Sequence, residues 1–507
     1  MMTTQTNNPW VRTHSEVVDQ RTLPMPAAWQ GTKAPRKPTS EIGRSIHLSG
    51  VGGELREELI GLLNQATKMA VLCSFLIADS ALEAAIKATA ERGVRVYVML
   101  ASEARLGREP DQGEFDKITH AHHKAMLKTL GKSVLFRTAE HFHAKTVLID
   151  PYTQPAGVLL TANLTKEALT RNEELAVRLS PAQVEGIAGY LRWAMWQTAQ
   201  HELLDGRDFK AANAVANVAH PAASADICAT THEHQGIAEQ LLQAVQRSTS
   251  HIIVSSFGWD IQHPVVQALC RRAREGLKVT VLARIRPAAM PALLALAESG
   301  AHVYGFKWLH AKALWTDAGD AMVMSANLEA HGLDGGFELG ALLTMQQANE
   351  LKVRLKHWQD TASWRLIPRP LLGDLSGSVQ LWRKGQLEQV QVLAEAEVDL
   401  GEVIAGSAHQ LQAPRPAVSE PAQSDDPAHR LKCNWSVAAP SGHPKASEQM
   451  RPSKGKEKPQ PYSPTLLREP DGRLAVAITE PSELGAALAL LGEVGAAAIV
   501  IERKQRK

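Results

Sequence analysis

Apolar residues near the start of the chain recur at two different spacings. Leu55, Leu59 and Leu63 lie at helical spacing, whereas the compact apolar run at 70–76 is typical of a buried strand. Continued along the chain, the same pattern predicts a second helix at 82–90 and a second strand at 94–100. The segment therefore predicts helix, strand, helix and strand in that order.

The same order of elements recurs in the second half of the chain. The corresponding predictions are a helix at 241–245, a strand at 252–257, a helix at 265–274 and a strand at 277–282. Ser74-Phe75 in the first copy matches Ser256-Phe257 in the second, so the chain contains an internal repeat. Alternating strands and helices predict an α/β fold, in which each copy builds a mixed, parallel-rich sheet flanked by helices.

A short polar motif follows these elements once in each copy. It reads His-x-Lys-x4-Asp, then Asn, with Glu eleven residues after the Asn. The first copy consists of His143, Lys145, Asp150, Thr161, Asn163 and Glu174, and the second of His310, Lys312, Asp317, Ser325, Asn327 and Glu338. Side chains two positions apart on a strand share a face, so the motif predicts an imidazole and an ammonium group side by side.

These residue types suit a phosphodiester substrate. Imidazole is the side chain best placed near neutral pH to attack or to donate a proton. Lysine and asparagine donate hydrogen bonds to anionic oxygens, and charge-assisted bonds of this kind contribute about 1.5–3 kcal/mol each. Two copies together supply a nucleophile, an acid for the leaving oxygen and donors for the non-bridging oxygens.

At the motif residues the sequence resembles the phospholipase D superfamily, whose mark is His-x-Lys-x4-Asp followed by a Gly-Ser-x-Asn-like segment. Both copies match the first part in full. The second part departs from the usual pattern, since Leu160 and Met324 stand where Gly is common and Thr161 replaces Ser. The resemblance covers roughly residues 46–368 and implies two pseudo-twofold-related lobes whose motifs meet at a shared seam.

The resemblance also implies a mechanism. One imidazole attacks phosphorus and forms a phosphohistidine intermediate, while the other protonates the leaving oxygen and then activates water. The N-terminal motif usually supplies the nucleophile in this superfamily, so we expect His143 to be the nucleophile and His310 the acid. The residues expected to hold the phosphoryl oxygens are Lys145, Lys312, Asn163, Asn327, Thr161 and Ser325.

The motif carboxylates have supporting roles in this scheme. Glu174 and Glu338 are expected to orient the imidazoles, with a contact across the seam as one arrangement. Asp150 and Asp317 belong to the motif, and we expect them to fix the turn after the strand rather than to take part in chemistry. No cofactor and no metal is expected, because the lysines supply the positive charge that a metal would bring.

Changes in composition divide the chain into segments. A hairpin is predicted to turn at Lys384-Gly385, and helices with tryptophans are predicted at 181–201 and 346–364. The predicted segments are an N-terminal arm or linker at 1–45, a first phospholipase D-like lobe at 46–203, a linker at 204–230, a second lobe at 231–368, a β-rich extension at 369–412, and a linker with a small C-terminal α/β accessory domain at 413–507.

Composition and charge place few limits on function. The 507 residues suffice for two or more domains, and a net charge of +2 permits nucleic acid as a partner without requiring it. The apolar segment at 484–501 contains Glu493, so a helix and a strand fit it better than a membrane span. No charged-then-apolar leader is visible at the N-terminus, and we expect a cytoplasmic protein without stable membrane insertion.

Three functions remain open from the sequence. The favoured one is a nuclease for DNA or RNA in bacterial genome defence or repair, with DNA as the favoured partner and a helicase as a candidate protein partner of the C-terminal region. A phospholipase or a phosphatidyltransferase of the cardiolipin synthase type is disfavoured because no N-terminal membrane helix is predicted. Two intact motifs argue against a nucleic-acid-binding scaffold with an inactive site, and Asp150 and Asp317 argue against the tyrosyl-DNA phosphodiesterase branch.

Overall fold

The chain forms two compact units. The larger unit spans Thr32–Leu366, and the smaller one combines Met1–Gly31 with Ile367–Lys507. The computed structural model describes residues 10–16, 24–34, 37–102, 106, 114–203, 206, 208–213, 218–222, 224–392, 396–399, 430–433, 437–438, 465–468, 474–478 and 499–504. Most of the predicted linker and accessory domain at 413–507 lies outside the described residues.

The larger unit contains the first copy of the repeat. Before it, the strands β1 (Trp10–Glu16) and β2 (Ala28–Gly31) belong to the smaller unit. The first copy consists of β3 (Glu41–Ile42), β4 (Ile46–Leu48), α1 (Glu54–Gln65), β5 (Met69–Cys73), β6 (Ile77–Ala78), α2 (Ser80–Glu91), β7 (Arg95–Ala101), α3 (Glu114–Leu130), β8 (Leu135–Ala139), β9 (Thr146–Ile149), β10 (Ala156–Leu160), β11 (Leu164–Thr165), α4 (Lys166–Thr170), β12 (Leu175–Arg178), α5 (Pro181–Trp193), a π-helical turn (Ala194–Thr198), β13 (His201–Leu203) and β14 (Phe209–Ala211).

The second copy follows in the same unit. It consists of β15 (Ile227–Thr230), α6 (Gly236–Arg247), β16 (His251–Ser256), α7 (Pro264–Arg274), β17 (Lys278–Arg284), a 3₁₀ turn (Pro287–Ala289), α8 (Met290–Glu298), β18 (His302–Phe306), β19 (Ala313–Thr316), β20 (Ala321–Met324), a π-helical turn (His331–Gly335), β21 (Glu338–Leu342), α9 (Met345–Thr361) and β22 (Trp364–Ile367).

The two copies share one strand order. In the first sheet the strands run β8-β7-β5-β9-β10-β12-β4, and in the second they run β18-β17-β16-β19-β20-β21-β15. Pairing is parallel between β5, β7 and β8 and between β16, β17 and β18, and it is antiparallel at the motif strands β9 and β19. The predicted α/β fold with mixed sheets flanked by helices is confirmed.

Reciprocal contacts join the two copies. The helices α5 and α9 begin with the same capping box, formed by Ser180 with Gln183 and by Thr344 with Gln347. Each glutamine also reaches the opposite copy, since Gln183 Nε2 donates to Leu342 O at 2.8 Å and Gln347 Nε2 donates to the carbonyl oxygen of residue 178 at 2.9 Å. These are the paired contacts that an approximate twofold axis generates.

The seam between the copies is apolar and closely packed. The rings of Phe142 and Phe337 stack across it with their centroids 4.9 Å apart, and Trp193 stacks on Phe337 at 6.2 Å. Residues of both copies, including Leu159 and Val323, belong to one continuous buried cluster there. Because burial of such large side chains stabilises by about 1.5–3 kcal/mol each, this core fixes the relative position of the two motifs.

The motif residues lie just before the strands on which they were predicted. Strand β9 begins at Thr146 and β19 begins at Ala313, so each His and Lys occupies the segment that precedes the strand. The reason is that backbone hydrogen bonds go to the other copy: His143 N donates to Phe337 O at 3.0 Å, and His310 N donates to Glu173 O at 2.9 Å.

Two further predictions need correction. The helix predicted at 181–201 ends as an α-helix at Trp193, and His201 starts a strand, while the helix predicted at 346–364 ends at Thr361. The segment at 204–230, predicted as a linker, contains β14 and β15, and β15 pairs with β21 as β4 pairs with β12. A four-residue strand is too short to show a period in the sequence.

The smaller unit is described mainly through its strands. After a 3₁₀ turn (Leu372–Asp374), they are β23 (Gly377–Arg383), β24 (Gln386–Val392), β25 (Ala396–Asp399), β26 (Arg430–Cys433), β27 (Val437–Ala438), β28 (Thr465–Arg468), β29 (Leu474–Ile478) and β30 (Ile499–Lys504). The predicted hairpin is confirmed as β23 and β24, and its turn residues Lys384 and Gly385 both have positive φ, as a two-residue turn requires. Among the residues that the structure describes, no helix is long and apolar enough to cross a membrane.

Candidate active site

Two histidine–glutamate pairs form the centre of the site, and each pair crosses the seam. His143 Nδ1 lies 2.6 Å from Glu338 Oε1, and His310 Nδ1 lies 2.8 Å from Glu174 Oε1. The glutamates are buried, with side-chain exposures of 1% and 0%, whereas the imidazoles are 18% and 15% exposed. Each imidazole is therefore oriented by a hydrogen bond at Nδ1, and Nε2 is the ring nitrogen that can react with a substrate.

The second oxygen of each glutamate is bound by the hydroxyl that follows the motif strand. Thr161 Oγ1 donates to Glu174 Oε2 at 2.7 Å, and Ser325 Oγ donates to Glu338 Oε2. Both hydroxyl residues are fully buried. This corrects the expectation that Thr161 and Ser325 hold the phosphoryl oxygens, because their single hydroxyl protons serve the glutamates instead.

The two motif lysines are fully buried beside the histidines. Lys145 Nζ donates to His143 O, and Lys312 Nζ donates to His310 O at 2.6 Å and lies 3.1 Å from both nitrogens of the His310 ring. Burial lowers the pKa of Lys145 to about 7 and that of Lys312 to about 8, although the buried glutamates oppose the shift. Both ammonium groups are thus close to titration near neutral pH.

Burial also governs the charge of the histidine–glutamate pairs. It lowers the pKa of His143 to about 4, against the opposing effect of Glu338, and it lowers the pKa of His310 to about 4 against Glu174. Burial alone would raise the pKa of each glutamate, but the facing histidine, the nearby lysine and the hydroxyl donor together hold it below its ordinary value. Without substrate, neutral imidazoles therefore face ionised carboxylates at pH 7.

The two motif asparagines occupy matching positions after β10 and β20. In both Asn163 and Asn327 the amide oxygen is buried and has no hydrogen-bond partner among the described residues. Asn327 Nδ2 donates to Glu329 Oε1 at 3.0 Å, which leaves one of its two N–H groups for another acceptor. That the asparagines donate to a phosphate stays a prediction.

The two motif aspartates turn away from the histidines. Asp150 accepts hydrogen bonds from the hydroxyl of Thr67 and from the backbone N–H groups of Thr67, Lys68 and Met69, all at 2.7–2.8 Å. Asp317 binds the equivalent loop of the second copy, which precedes β16. Each aspartate ties the end of a motif strand to the start of its neighbour, the structural role that the sequence predicts.

A cationic and aromatic cluster that sequence reasoning missed borders the His310 pair. The ring of Phe257 packs edge-on against His310 at 4.8 Å, and the guanidinium of Arg286 lies 3.9 Å above Phe257. The guanidinium groups of Arg171 and Arg284 lie 4.3 and 5.4 Å from the centre of the Trp308 ring. Two arginines directly after a buried strand were a usable signal in the sequence, because such positions lie at the sheet edge.

No arrangement suited to a metal ion is found among the described residues. In that part of the chain no group of three or more His, Cys, Asp or Glu side chains could hold one. That no metal takes part stays a prediction, and Lys145 and Lys312 are the buried cations beside the histidines.

Comparisons with known proteins give a family match in the first copy of the repeat. A family model described as "Cardiolipin synthase, PLD-like domain" matches residues 59–192. No curated protein matches the chain. The chain is similar in structure to a phosphatidylserine synthase from Haemophilus influenzae Rd KW20, with a TM-score of 0.48 and 10% identity over 66% of this chain and 89% of that one.

Two other solved structures show weaker similarity. A polyphosphate kinase from Porphyromonas gingivalis has a TM-score of 0.41 and 15% identity, over 62% of this chain and 50% of that one. A phospholipase D family member, Nuc from Salmonella typhimurium, has a TM-score of 0.25 and 15% identity, over 28% of this chain and 97% of that one.

The family model covers most of the first copy, including His143, Lys145 and Glu174. The second copy repeats its strand order and supplies the partner of each histidine–glutamate pair. The match shows a PLD-like domain at residues 59–192 and supports the resemblance of the chain to the phospholipase D superfamily.

Proposed function

We propose that this protein is a metal-independent nuclease that cleaves phosphodiester bonds of DNA or RNA through a phosphohistidine intermediate. The observation that carries the proposal is the reciprocal pairing of His143 with Glu338 and of His310 with Glu174. It gives two imidazoles of fixed tautomer, each flanked by a buried lysine. Such a pair can act as nucleophile and acid on one phosphorus.

The first step transfers the phosphoryl group to the protein. Nε2 of His143 attacks phosphorus, a P–N bond forms, and the bond from phosphorus to the leaving oxygen breaks. Nε2–H of His310 donates its proton to that oxygen, so the departing strand leaves as an alcohol. Glu338 stabilises the positive charge that develops on the attacking imidazole, as a buried carboxylate on Nδ1 does in other nucleophile–base pairs.

The second step returns the protein to its starting state. His310, now neutral, removes a proton from water, and the oxygen attacks phosphorus as the P–N bond breaks. Lys145 and Lys312 stabilise the non-bridging oxygens, with the asparagines as further donors, in both transition states. The roles of the two histidines follow the superfamily order, in which the N-terminal motif supplies the nucleophile.

Substrate binding itself sets the required protonation. A pKa of about 4 leaves both imidazoles neutral at pH 7, which suits the nucleophile but not the acid. An anionic phosphodiester that enters between them raises both pKa values, because an opposite charge favours the protonated ring. One proton taken up with the substrate is then available to the leaving oxygen.

The choice of nucleic acid rests on charge around the site. Arg171, Arg284 and Arg286 gather beside His310, and such a cluster attracts a polyanionic strand. The second candidate is a phosphatidyltransferase or phospholipase, and the description of the matching family model, which names a cardiolipin synthase, favours it. Both candidates use the same two-histidine chemistry and differ in what flanks the phosphate.

The test is cleavage of labelled single-stranded and double-stranded DNA and RNA in EDTA, with a phosphatidyl substrate in the same buffer. The variants are His143→Ala and His310→Ala, and His302→Ala, an exposed histidine on β18, is the matched control. We expect nucleic-acid cleavage by the wild type and the control and none by the two site variants. Turnover of the phosphatidyl substrate alone would contradict the nuclease and move the chain to the lipid candidate.

A further inference from the structure

Four cationic side chains surround two aromatic rings on the His310 side of the site. Arg286 lies over Phe257 at 3.9 Å, and Arg284 lies between Phe257 and Trp308, 5.3 and 5.4 Å from their centres. Arg171, from the loop before Glu174, lies 4.3 Å from the Trp308 ring, and Lys307 Nζ lies 5.1 Å from it. These groups are called the arginine cluster below, and they consist of Arg171, Arg284, Arg286, Lys307, Phe257 and Trp308.

Arg284 lies at the centre of the cluster, between its two aromatic rings. Arg284 has no ion pair with any described carboxylate, and its guanidinium is only partly exposed. Burial, together with the nearby charges of Arg286 and Arg171, lowers the pKa of Arg284 to about 10. Glu174, the carboxylate that opposes this shift, already binds His310 and Thr161. Cations held together in this way favour a bound anion.

The cluster is contiguous with the catalytic centre. Phe257 touches the His310 ring, Trp308 lies two residues before His310, and the backbone of Glu173 bonds to both Trp308 and His310. Besides burial, the charge of Arg284 helps to lower the pKa of Lys312, so the two cations are near each other. An anion bound by the cluster therefore lies directly beside the phosphate that is cleaved.

Among the described residues, the aligned positions of the other half do not repeat the cations of the cluster. The repeat aligns Arg284 with Ala101, Arg171 with Gly335, Lys307 with Glu140, and Trp308 with His141. Only Phe257 keeps its type, with Phe75 packing edge-on against His143 at 5.5 Å. Since the chemistry needs the repeated residues alone, the unrepeated cations point to recognition of a group outside the scissile phosphate.

We propose that the arginine cluster binds a second phosphate of a polynucleotide strand, next to the scissile phosphate on the His310 side. The inference rests on the proposed nuclease function. Guanidinium groups match phosphate geometry through paired hydrogen bonds, and their stacking on Phe257 and Trp308 fixes their planes before the strand arrives. With His310 as the acid, the leaving oxygen lies on this side, and the second phosphate belongs to the segment that departs.

The test compares substrates with many phosphates and with one. The full-length chain is assayed in EDTA with a single-stranded oligodeoxynucleotide and with bis(p-nitrophenyl) phosphate. The variants are Arg284→Gln, Arg286→Gln and the double substitution, and Arg365→Gln, an exposed arginine on β22, is the matched control. Binding of the labelled oligonucleotide is measured in parallel by fluorescence anisotropy, in the His143→Ala background to prevent cleavage.

We expect the double variant to lose at least tenfold more in kcat/KM on the oligonucleotide than on bis(p-nitrophenyl) phosphate, mainly through KM. Its binding should also depend less steeply on salt, by about 0.7 in the logarithmic slope for each phosphate that the cluster no longer neutralises. Arg365→Gln should match the wild type on both substrates. Retained turnover of the single-phosphate substrate shows that the variants are folded.

Two outcomes would overturn the subsite. One is an equal loss on both substrates, which would place the arginines at the scissile phosphate or in folding, and the other is oligonucleotide binding that the substitutions leave unchanged. Binding of inorganic tripolyphosphate without binding of the oligonucleotide would also exclude a polynucleotide. Oligonucleotide binding that depends on the arginines, without cleavage by the wild type, would contradict the nuclease and support the subsite.

Discussion

The two halves of the candidate active site share their hydrogen bonds and differ in their surroundings. Around His143 and around His310 the same pattern occurs: a glutamate from the other copy, a hydroxyl on that glutamate and a buried lysine. Beyond this pattern, the His310 half carries the arginine cluster, whereas the aligned positions of the His143 half hold Ala101, Gly335, Glu140 and His141.

The difference separates chemistry from recognition. An attack on phosphorus and a protonation of the leaving oxygen need the same kind of group on opposite sides, which a repeated motif supplies. A nucleic-acid strand has a direction, because the segments on the two sides of the cleaved phosphodiester become different products. The groups that bind the strand therefore need not be repeated. The repeated residues are therefore assigned to the reaction, and the unrepeated cations to the substrate.

The largest expected effect comes from the two histidines. His143→Ala and His310→Ala should each lower kcat/KM on an oligonucleotide by about 10⁴-fold, and the double variant should fall no lower, because the two rings act as one unit. A p-nitrophenolate leaving group needs no acid. We therefore expect His310→Ala, but not His143→Ala, to release a burst of p-nitrophenolate from bis(p-nitrophenyl) phosphate.

The burst distinguishes the two halves directly. A burst from His143→Ala and none from His310→Ala would reverse the assignment of nucleophile and acid. Equal bursts from both variants would contradict a mechanism in which one histidine forms the covalent intermediate. His302→Ala, which lies outside the site, is the control for both measurements.

The next largest loss of activity is expected from the glutamate variants. Each should impair the histidine of the other copy. Glu338→Gln should reduce activity by about 100-fold and should resemble His143→Ala in the burst assay, because it disturbs the tautomer of that ring. Glu174→Gln should instead resemble His310→Ala. If each glutamate variant resembled the histidine of its own copy, the reciprocal pairing would be wrong.

A smaller effect is expected from pH and the lysines. The value of kcat/KM should rise with pH up to about 4 as the nucleophile loses its proton, and it should fall above that value because the proton of the acid must then be taken up with the substrate. The fall should steepen above about 7 as Lys145 becomes neutral, since a neutral amine no longer binds phosphate oxygens strongly. Lys145→Arg keeps its charge, so the steeper part of the fall should move towards 8, the pKa of Lys312. Lys278→Arg, exposed at the start of β17, should leave the profile unchanged.

The smallest effect on activity is expected from the motif aspartates. Burial alone would raise the pKa of Asp317, but hydrogen bonds from Ser248, Thr249 and Ser250 hold it well below its ordinary value. The stabilisation is present above the unfolded pKa of about 3.9 and is lost as pH falls below it. Asp317→Ala should lower the free energy of unfolding by about 1–2 kcal/mol at pH 7 and by less near pH 2, as measured by urea titration.

The catalytic activity of the same variant should change much less than its stability. The folded Asp317→Ala variant should retain cleavage within a few-fold of the wild type, because Asp317 bonds to the loop before β16 and not to His310. Loss of activity at unchanged stability would assign the aspartate to the chemistry.

Much of the centre could be predicted from the sequence because its parts are local. The spacing of His143 and Lys145 and its repetition at His310 and Lys312 were enough to indicate the residues that meet at the seam. The pattern could not show that Thr161 and Ser325 donate to the glutamates, because that depends on which face of β12 and β21 lies behind the motif. In the sequence, a hydroxyl that donates to a glutamate looks the same as one that binds a phosphate.

The arginine cluster as a whole could not be predicted for a different reason, although Arg284 and Arg286 gave a local signal. Its members come from four separate parts of the chain, at Arg171, Phe257, Arg284 with Arg286, and Lys307 with Trp308. None of these parts has a motif of its own, and the repeat gives no second copy to compare. Pairing of Glu173 with the segment Trp308–His310 brings Arg171 to the Trp308 ring.

The proposed mechanism depends most directly on a covalent phosphohistidine intermediate at His143. Single-turnover reactions of a 5′- or 3′-labelled oligonucleotide in EDTA, stopped with alkali to preserve phosphohistidine, would be digested and mapped by mass spectrometry. We predict phosphorylation of the peptide that contains His143 in the wild type and in His302→Ala, and none in His143→Ala. Cleavage without any phosphohistidine, or with phosphohistidine only at His310, would contradict the mechanism.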